Sequence, residues 1–423
     1  MKEFKEIKKT TIYESLKRGR LYRQEGRSDE AVKEFKRVLS DIPQKDEPFL
    51  YNMILNEVEI VEGRTFLESK PRGMGIALTN RCNIRCIMCN VWNNPWDIPE
   101  ETINEIMELI PYLQRIFWQG GEVFLSPYFN KLLEKISAYP NIRQDINTNG
   151  LLINKHWAKR LVRANANIIF SIDGVTKETY EHIRRGAKFQ DLLKSIDILN
   201  EEMGEKEDRT YVGNNKECST IINLVVMRSN YHELGGFIDF AKKYGFGRLQ
   251  ITPVDIDNQE NIFLHRDQEA LVYIDKIMPE IFEKAKDYGI CVSNWLPVIK
   301  NSPSSQKDIL PPEKTHATGH RQTNGSAAEI PNKIACYWPW QFLFIDWGGR
   351  VRPQCFCPKP VGNIHHNAIE EIWNNEIIQS YRQKIFDNDC QKLCDDRCVS
   401  GKMPKESLSL DFSCFEEGPY VDF

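Results

Sequence analysis

The chain has 423 residues, of which 41% are hydrophobic, so it is long enough for two or three domains with a sizeable core. Its 56 basic and 60 acidic side chains nearly balance, and a net charge of −4 does not predict a surface that binds nucleic acid or a membrane. The first residues lack an apolar secretory signal, and no apolar run of about 18 residues predicts a membrane span. We therefore expect a cytoplasmic protein with neither nucleic-acid nor membrane partners.

The twelve cysteines are unevenly distributed along the chain. In a chain without a secretory signal, thiols bind metals more often than they form disulfides. Three cysteines lie together early in the sequence, and seven follow residue 335. Cys218 and Cys291 stand apart from both groups, which predicts structural roles for them.

The first predicted elements are two helices between residues 12 and 43. Small, aromatic and helix-ending residues recur there at the offsets of one tetratricopeptide (TPR) repeat: Gly19, Tyr22, Gly26, Ala31, Phe35 and Pro43. Residues 1–72 are therefore predicted to form a helical, TPR-like extension, and such a hairpin can contact a protein partner. A simple helical hairpin that braces the next domain fits this sequence equally well.

The next segment, residues 73–300, alternates apolar runs with helical patterns. The predicted strands lie at 75–79, 115–118, 142–146, 167–172, 221–227 and 248–254. Six strand–helix units in sequence predict an α/β fold, a partial (β/α)6 TIM-type barrel with parallel strands. In such barrels the active groups follow the carboxyl ends of the strands.

The remainder of the chain divides into a predicted linker and a small domain. Residues 301–331 are rich in Pro, Ser, Gly and polar residues, which is typical of a linker. Residues 332–423 begin with two apolar strands around Gly348-Gly349, a hairpin pattern, and continue with a short helix and the last cysteines. We expect a small C-terminal α+β domain that is rich in cysteine.

The residues with the clearest chemistry are Cys82, Cys86 and Cys89, at C-x3-C-x2-C spacing directly after the first predicted strand. Three thiolates on one loop can hold three corners of a 4Fe–4S cluster, because soft sulfur ligands suit iron–sulfur chemistry. The fourth iron is then left open for a small molecule. A structural zinc site is the alternative, but it requires four ligands, and no second cysteine pair lies near.

This loop resembles the signature loop of the radical S-adenosylmethionine (SAM) enzymes, in which the open iron binds the amino and carboxylate groups of SAM. Gly120-Gly121-Glu122 follows the second strand and is similar to the family segment that holds the SAM amino group. Asn147-Thr148-Asn149 follows the third strand, where the resemblance implies further SAM contacts and a polar turn fits as well.

The resemblance continues at the fourth and fifth strands. Ser171 and Asp173 stand in a segment that borders the SAM ribose or carboxylate in the family, although both could instead cap a helix. Arg184 is similar to an arginine that pairs with the SAM carboxylate, and a solvated helix arginine is its alternative. Val226 and Met227 stand where family members bind the adenine.

The C-terminal cysteines resemble the auxiliary-cluster domains of the same superfamily, called SPASM and, in a shorter form, twitch. The implied ligands of one or two auxiliary iron–sulfur clusters are Cys336, Cys355, Cys357, Cys390, Cys394, Cys398 and Cys414. The block Cys390-x3-Cys394-x3-Cys398 departs from the C-x2-C-x5-C-x3-C of a full SPASM domain, so the number of clusters is open, and zinc is an alternative here.

The resemblance implies an oxidoreductase-type enzyme that reductively cleaves SAM to a 5′-deoxyadenosyl radical and abstracts hydrogen from a substrate. A reductant such as flavodoxin or ferredoxin would supply the electron. Modification of a peptide or protein ranks ahead of dehydrogenation or epimerisation of a carbohydrate or small alcohol. Two rivals are a non-catalytic TPR protein that binds zinc and an electron carrier without SAM chemistry.

Overall fold

The computed structural model describes residues 2–91, 95–204, 219–254, 266–296, 336–355, 357–387 and 389. The predicted linker 301–331 lies outside these residues, as do four of the predicted auxiliary ligands: Cys390, Cys394, Cys398 and Cys414.

Ten strands of the described residues form one large sheet. In chain order they are β1 (Gly73–Ala77), β3 (Arg115–Gln119), β4 (Arg143–Thr148), β5 (Asn167–Ser171), β7 (Thr220–Val226), β8 (Arg248–Pro253), β9 (Cys291–Asn294), β10 (Phe342–Ile345), β11 (Arg350–Arg352) and β12 (Gly362–Asn363). Two shorter strands, β2 (Arg85–Cys86) and β6 (Arg184–Arg185), pair with each other in a separate small sheet.

The order across the large sheet is β12-β11-β10-β1-β3-β4-β5-β7-β8-β9. All pairs from β10 to β9 are parallel, and only β11 and β12 are antiparallel. Each of the six predicted apolar runs coincides with a strand, which confirms an α/β fold built on a parallel sheet. The sheet also contains a seventh strand, β9, and the C-terminal hairpin, while the six-unit barrel stays a prediction.

Helices form most of the connections between successive parallel strands. In chain order the helices are α1 (Lys2–Gln24), α2 (Ser28–Leu39), α3 (Pro48–Val61), α4 (Glu100–Leu109), α5 (Phe129–Ile136), α6 (Lys155–Arg163), α7 (Lys177–Ile183), α8 (Phe189–Met203), α9 (Gly236–Tyr244), α10 (Gln268–Tyr288), α11 (Trp338–Gln341), α12 (Ile369–Trp373) and α13 (Glu376–Phe386). No described helix combines the length and the apolar character that a membrane span requires.

Local sequence signals explain where several of these helices begin and end. The side chain of Asn154 accepts a hydrogen bond from Trp157 N at the start of α6, and Asp267 does the same for Ala270 N at the start of α10. Gly245 and Gly289 end α9 and α10 in the left-handed conformation that glycine adopts without strain. One face of each of α4 and α9 is buried: Ile103 and Ile106 in α4, and Phe237, Ile238 and Ala241 in α9.

The N-terminal helices α1, α2 and α3 form a small core of their own. Gly19 in α1 lies against the ring of Phe35 in α2, and a β-carbon on Gly19 would be 2.4 Å from that ring. Ala31 and Phe35 are fully buried, as the predicted helical pair requires. The helices are therefore where the sequence places them, and their TPR character stays a prediction.

The C-terminal hairpin is continuous with the main sheet rather than separate from it. Strand β10 pairs in parallel with β1, from Gly73↔Phe342 to Ile76↔Ile345. Strands β10 and β11 pair around the predicted Gly348-Gly349 turn. The predicted boundaries 1–72, 73–300, 301–331 and 332–423 stay predictions, but the sheet itself crosses from the second of these segments to the last.

Candidate functional site

The candidate site lies at the carboxyl ends of the parallel strands. Because parallel strands end at one edge of their sheet, the segments that follow β1, β3, β4, β5 and β7 are brought to the same side. The last residues of these strands and the segments that follow them contain all the candidate SAM-cluster and SAM-binding residues except Arg184, which lies in β6 after α7.

The cysteine loop is fixed in place by backbone pairing. Cys86 in β2 is the register partner of Arg184 in β6, and the Ile87 N–H donates to Ile183 O at 3.0 Å. Cys89 N donates to Cys86 O at 3.1 Å, which turns the loop back on itself. The three thiols of Cys82, Cys86 and Cys89 are half-buried. The loop is therefore attached to the segment that follows β5.

Two glycines bring the end of β3 against the cysteine loop. A β-carbon would lie 2.2 Å from Thr79 O at Gly120 and 2.2 Å from Arg81 O at Gly121. The Gly121 N–H donates to Thr79 O, and the Glu122 N–H donates to Arg81 O, each at 2.7 Å. Only glycine permits this approach, because any side chain would overlap the carbonyl groups.

The side chain of Glu122 points into the protein. It is fully buried, and it accepts hydrogen bonds from Thr148 Oγ1 and from Asn149 N, both at 2.8 Å. Burial raises the pKa of this carboxyl to about 7, although these donors act in the opposite direction. Glu122 thus joins the end of β3 to the end of β4, and its predicted role toward SAM stays a prediction.

Asn149 continues this connection to the first cysteine. Its Nδ2 donates to Asn83 Oδ1 at 2.8 Å and lies 3.9 Å from Cys82 Sγ. A chain of contacts therefore runs from Glu122 through Asn149 to the cysteine loop. The side-chain oxygen Oδ1 of Asn147, two residues earlier, is buried and makes no hydrogen bond within the described residues.

A buried ion pair lies beside the second cysteine. Asp173 Oδ2 and Arg184 Nη2 are 2.6 Å apart, and their side chains are 0% and 6% exposed. Arg184 Nη1 lies 3.7 Å from Cys86 Sγ. Burial alone would lower the pKa of Arg184, but Asp173 outweighs it and raises this pKa, so the guanidinium stays charged.

The segments after β5 and β7 are held together by Asn230. Its Oδ1 accepts from Met227 N at 2.8 Å, and its Nδ2 donates to the Asp173 and Val225 carbonyls, each at 2.9 Å. Asp173 Oδ1 in turn accepts from Val225 N at 2.9 Å. Sequence reasoning did not select Asn230, and the only signal for it was a polar side chain shortly after a strand.

The remaining candidate residues line the same edge. Ser171 is half-buried at the end of β5, and Val226 and Met227 are fully buried at the end of β7. Met227 belongs to an apolar cluster that includes Met88 from the cysteine loop. This cluster shields the inner side of the loop from water.

The thiols themselves are held in a weakly solvated environment. Burial raises the pKa of Cys82, and it raises the pKa of Cys86 to about 11 against the opposing effect of Arg184. Since metal ligation requires thiolates, loading of this loop with metal releases protons.

The residues at this edge fit the cofactors that the sequence suggested. Three soft sulfur ligands on one loop suit iron–sulfur chemistry. The Tyr180 hydroxyl and Arg184 Nε are, like Asn147 Oδ1, buried polar atoms that make no hydrogen bond within the described residues, and a polar ligand would satisfy such groups. No three His, Cys, Asp or Glu side chains of the described residues are grouped closely enough to hold one metal ion.

Three of the predicted auxiliary ligands can be placed. Cys336 packs against an apolar cluster of Trp338, Phe342 and Phe344, which lies toward the amino end of β10. Cys355 is exposed after β11, and Cys357 is half-buried. The strands thus place Cys336 and the Cys82 loop at opposite ends of the neighbouring strands β10 and β1.

Two family models match this chain. Residues 76–241 match the radical SAM superfamily, and residues 336–399 match SPASM, an iron–sulfur cluster-binding domain. The chain therefore contains a radical SAM domain. A SPASM domain lies toward its C-terminal side, and both matches confirm the resemblance that the cysteine patterns carry.

Curated relatives of this radical SAM protein are distant. AlbA of Bacillus subtilis (strain 168), an antilisterial bacteriocin subtilosin biosynthesis protein, is 22% identical over 338 residues, which are 76% of this chain and 63% of AlbA. The mycofactocin maturase MftC of Mycobacterium ulcerans (strain Agy99) is 27% identical over 181 residues, 41% of this chain and 45% of MftC. The chain thus spans less than two thirds of either relative.

A solved structure with a similar fold is that of SuiB from Streptococcus suis. It has a TM-score of 0.53 at 14% identity, and the match covers 79% of this chain and 73% of SuiB. At this identity the likeness concerns the fold alone. The radical SAM domain implies a 4Fe–4S cluster and SAM, and the SPASM domain implies auxiliary iron–sulfur clusters.

Proposed function

We propose that this radical SAM protein reductively cleaves SAM and abstracts a hydrogen atom from a peptide or protein substrate. The observation that carries the proposal is the connection of the cysteine loop to three strand ends. Glu122 and Asn149 join it to β3 and β4, and Arg184 joins it to the segment that follows β5. Such connections hold a loop of metal ligands in one geometry, as cofactor chemistry requires.

The roles of the chain's own residues follow from their positions. Cys82, Cys86 and Cys89 would hold a 4Fe–4S cluster through their thiolates and would leave it open to SAM. When bound, the cluster and SAM supply the electron and the hydrogen-abstracting radical chemistry. Gly120 and Gly121 hold the end of β3 against the cysteine loop, and the proposed place of the adenine is near Val226 and Met227 at the end of β7.

Further SAM contacts are proposed from the same edge of the sheet. Asn147 presents a buried, unsatisfied side-chain oxygen, and Ser171 is half-buried at the neighbouring strand end. A polar ligand that reached both would remove the cost of leaving the Asn147 oxygen without a partner. Water exclusion by the apolar cluster beneath the cysteine loop protects reactive species from side reactions.

A peptide or protein is the proposed substrate class. AlbA is named for the biosynthesis of a bacteriocin, which is a peptide, and its match extends over 76% of this chain. The SPASM match supports at least one auxiliary cluster, which is proposed to exchange electrons with the substrate. Its ligands are proposed to be among Cys336, Cys355, Cys357 and the later cysteines. A flavodoxin or ferredoxin is the proposed reductant, and the helices α1 and α2 are a candidate contact for a protein partner.

The deciding experiment is an anaerobic reconstitution followed by iron and sulfide counts, reduction with dithionite, and an assay for 5′-deoxyadenosine from SAM. Each cubane cluster holds about four irons, so about eight irons indicate one auxiliary cluster and about twelve indicate two. The variant Cys82→Ala/Cys86→Ala/Cys89→Ala should lose about four irons and all SAM cleavage.

The matched control is Cys291→Ala, which removes a cysteine from β9, away from the cysteine loop. This variant should keep the iron content and the rate of 5′-deoxyadenosine formation. A colourless wild-type protein that binds zinc and leaves SAM intact would instead support a non-catalytic zinc protein.

A further inference from the structure

A buried ion pair, Arg184–Asp173, lies beside the second cysteine of the loop. Arg184 Nη2 forms an ion pair with Asp173 Oδ2 at 2.6 Å, and Arg184 Nη1 lies 3.7 Å from Cys86 Sγ. The resemblance to radical SAM enzymes predicts instead that this arginine pairs with the SAM carboxylate. Two of its three nitrogen atoms therefore already face protein groups, which suggests a different role.

The position of Arg184 relative to Cys86 is fixed by the backbone. The two residues are register partners in the short antiparallel pair β2–β6, so their backbones stay adjacent unless that pair is disrupted. Asp173 is equally fixed, because its Oδ1 accepts from Val225 N and its carbonyl accepts from Asn230 Nδ2. Both charges are thus held beside Cys86 before any cofactor binds.

Buried charges at this distance act strongly on a redox centre. Water screens an exposed charge, whereas a side chain that is 0–6% exposed is screened much less. One-electron reduction adds negative charge to an iron–sulfur cluster. A nearby positive charge and hydrogen bonds to the ligating sulfur favour the reduced form, and a nearby negative charge disfavours it.

We propose that the Arg184–Asp173 pair sets the reduction potential of the cluster that Cys82, Cys86 and Cys89 hold. Arg184 raises the potential through its charge and its N–H directed at Cys86 Sγ, and Asp173 holds Arg184 in place while partly offsetting its charge. Arg184 is then a positioning residue that acts through Cys86. The inference rests on the proposed function, since it requires that the cysteine loop bind a cluster.

The test is a redox titration of the reconstituted protein without SAM, followed by electron paramagnetic resonance. The signal of Cys82→Ala/Cys86→Ala/Cys89→Ala is subtracted, because that variant keeps only auxiliary clusters. Arg184→Gln should lower the equilibrium constant for one-electron reduction at least tenfold, which is about 59 mV. Asp173→Asn should shift the potential in the opposite direction, and Arg184→Lys, which keeps the charge, should retain most of the wild-type potential.

Arg185→Gln is the matched control, since it removes the same charge from an exposed side chain one residue along. Its potential should change far less than that of Arg184→Gln. Iron content and SAM affinity are measured for every variant. The inference is overturned if Arg184→Gln and Arg185→Gln have equal potentials while only the former loses SAM affinity, because Arg184 then acts on SAM.

Shifts of Arg184→Gln and Asp173→Asn in the same direction also contradict the inference, since they indicate a general disturbance of the loop. Failure of the proposed function is distinguishable from these outcomes. In that case the wild-type protein itself shows no cluster signal and no SAM cleavage, and the proposed function and this inference fall together.

Discussion

Gly121 lies where two backbone segments approach more closely than any side chain allows. Its missing β-carbon would be 2.2 Å from Arg81 O and 2.5 Å from Asn80 O, and both carbonyls precede Cys82 directly. The residue type therefore determines how the cysteine loop is placed relative to the end of β3. A side chain here must displace the loop, because the obstructing atoms are backbone and cannot rotate away.

We predict that Gly121→Ala lowers the iron content of the reconstituted protein and reduces SAM cleavage at least tenfold, since the displaced loop no longer presents its cysteines correctly. Iron analysis and the 5′-deoxyadenosine assay measure both effects. Gly235→Ala is the control, because its β-carbon would lie at an ordinary 3.4 Å from Ile277. Equal iron contents in the two variants would contradict this interpretation of Gly121.

At the residue scale, the sequence predicts which chemical groups reach the site but not which partners they find there. The order of segments after successive strands places Glu122 and Asp173 at one edge, because parallel strands end together. The partner of Arg184 could not be predicted, since Cys86 is 98 residues away and the two-residue strands β2 and β6 carry no periodic pattern. The inward orientation of the Glu122 side chain likewise depends on the burial of this residue, which the surrounding sequence does not specify.

At the scale of elements, a buried ionic network joins the strands β3, β4 and β5 at the ends opposite the site. Asp145 in β4 contacts Arg115 at 2.7 Å, Arg143 at 3.1 Å and Asn167 at 2.8 Å. Burial alone would raise the pKa of Asp145, but these partners outweigh it and hold the pKa well below its usual range. Asp145 thus stays ionised and stabilises the register of three central strands.

We predict that Asp145→Asn lowers the free energy of unfolding by about 3 kcal/mol at pH 7, because it removes the buried negative charge that both Arg115 and Arg143 contact. The folded-state pKa is depressed, so the wild-type advantage is fully present above the unfolded pKa of about 3.9 and is lost as the pH falls through the folded value. Denaturant titrations from pH 8 to pH 3 should show a constant difference that shrinks below about pH 4.

The control for this prediction is Asp197→Asn on the exposed face of α8, which should change the unfolding free energy by less than about 0.5 kcal/mol. An Asp145→Asn deficit that does not depend on pH at the acid end would show that the pKa of Asp145 is not lowered in the folded protein.

Elements were more predictable than their pairing. Apolar runs between helical patterns located six parallel strands to within a few residues, since buried strands of a parallel sheet are mostly apolar, and β4 with its buried Arg143 and Asp145 is the exception. Strand β9 was missed because it has four residues and only Cys291 and Val292 are buried. The pairing of β10 with β1 was not predictable, because no local pattern specifies a partner so far along the chain.

At the scale of the whole molecule, one sheet links the two family domains, and side chains near β10 link them to the N-terminal helices. Asn56 in α3 donates to Trp340 O at 2.7 Å, and the Trp373 indole donates to Ser69 O at 2.7 Å. Glu57 in α3 forms a buried ion pair with Arg72, just before β1. The N-terminal helices are therefore attached both to the sheet and to the C-terminal segment.

Arg382 in α13 is central to this attachment. It is fully buried and donates to Pro339 O at 2.9 Å, to Thr65 O at 2.6 Å and to Trp373 O at 2.8 Å. It also lies over the Trp373 ring, with 4.7 Å between its guanidinium carbon and the ring centroid. One side chain thus satisfies carbonyl groups from three separate stretches of the chain.

We predict that Arg382→Met lowers the free energy of unfolding by about 3 kcal/mol, because methionine fills the space but leaves buried carbonyl oxygens without donors. The same change should make the C-terminal segment more accessible to protease, since Thr65 on the N-terminal side and Pro339 on the C-terminal side lose their shared donor. Denaturant titration and limited proteolysis measure the two effects.

Lys384→Met, two residues along the same helix, is the control and should unfold like the wild type. If both variants unfold at the same denaturant concentration, the attachment does not depend on Arg382, and the packing of Trp340 and Trp373 against the N-terminal segment carries it instead.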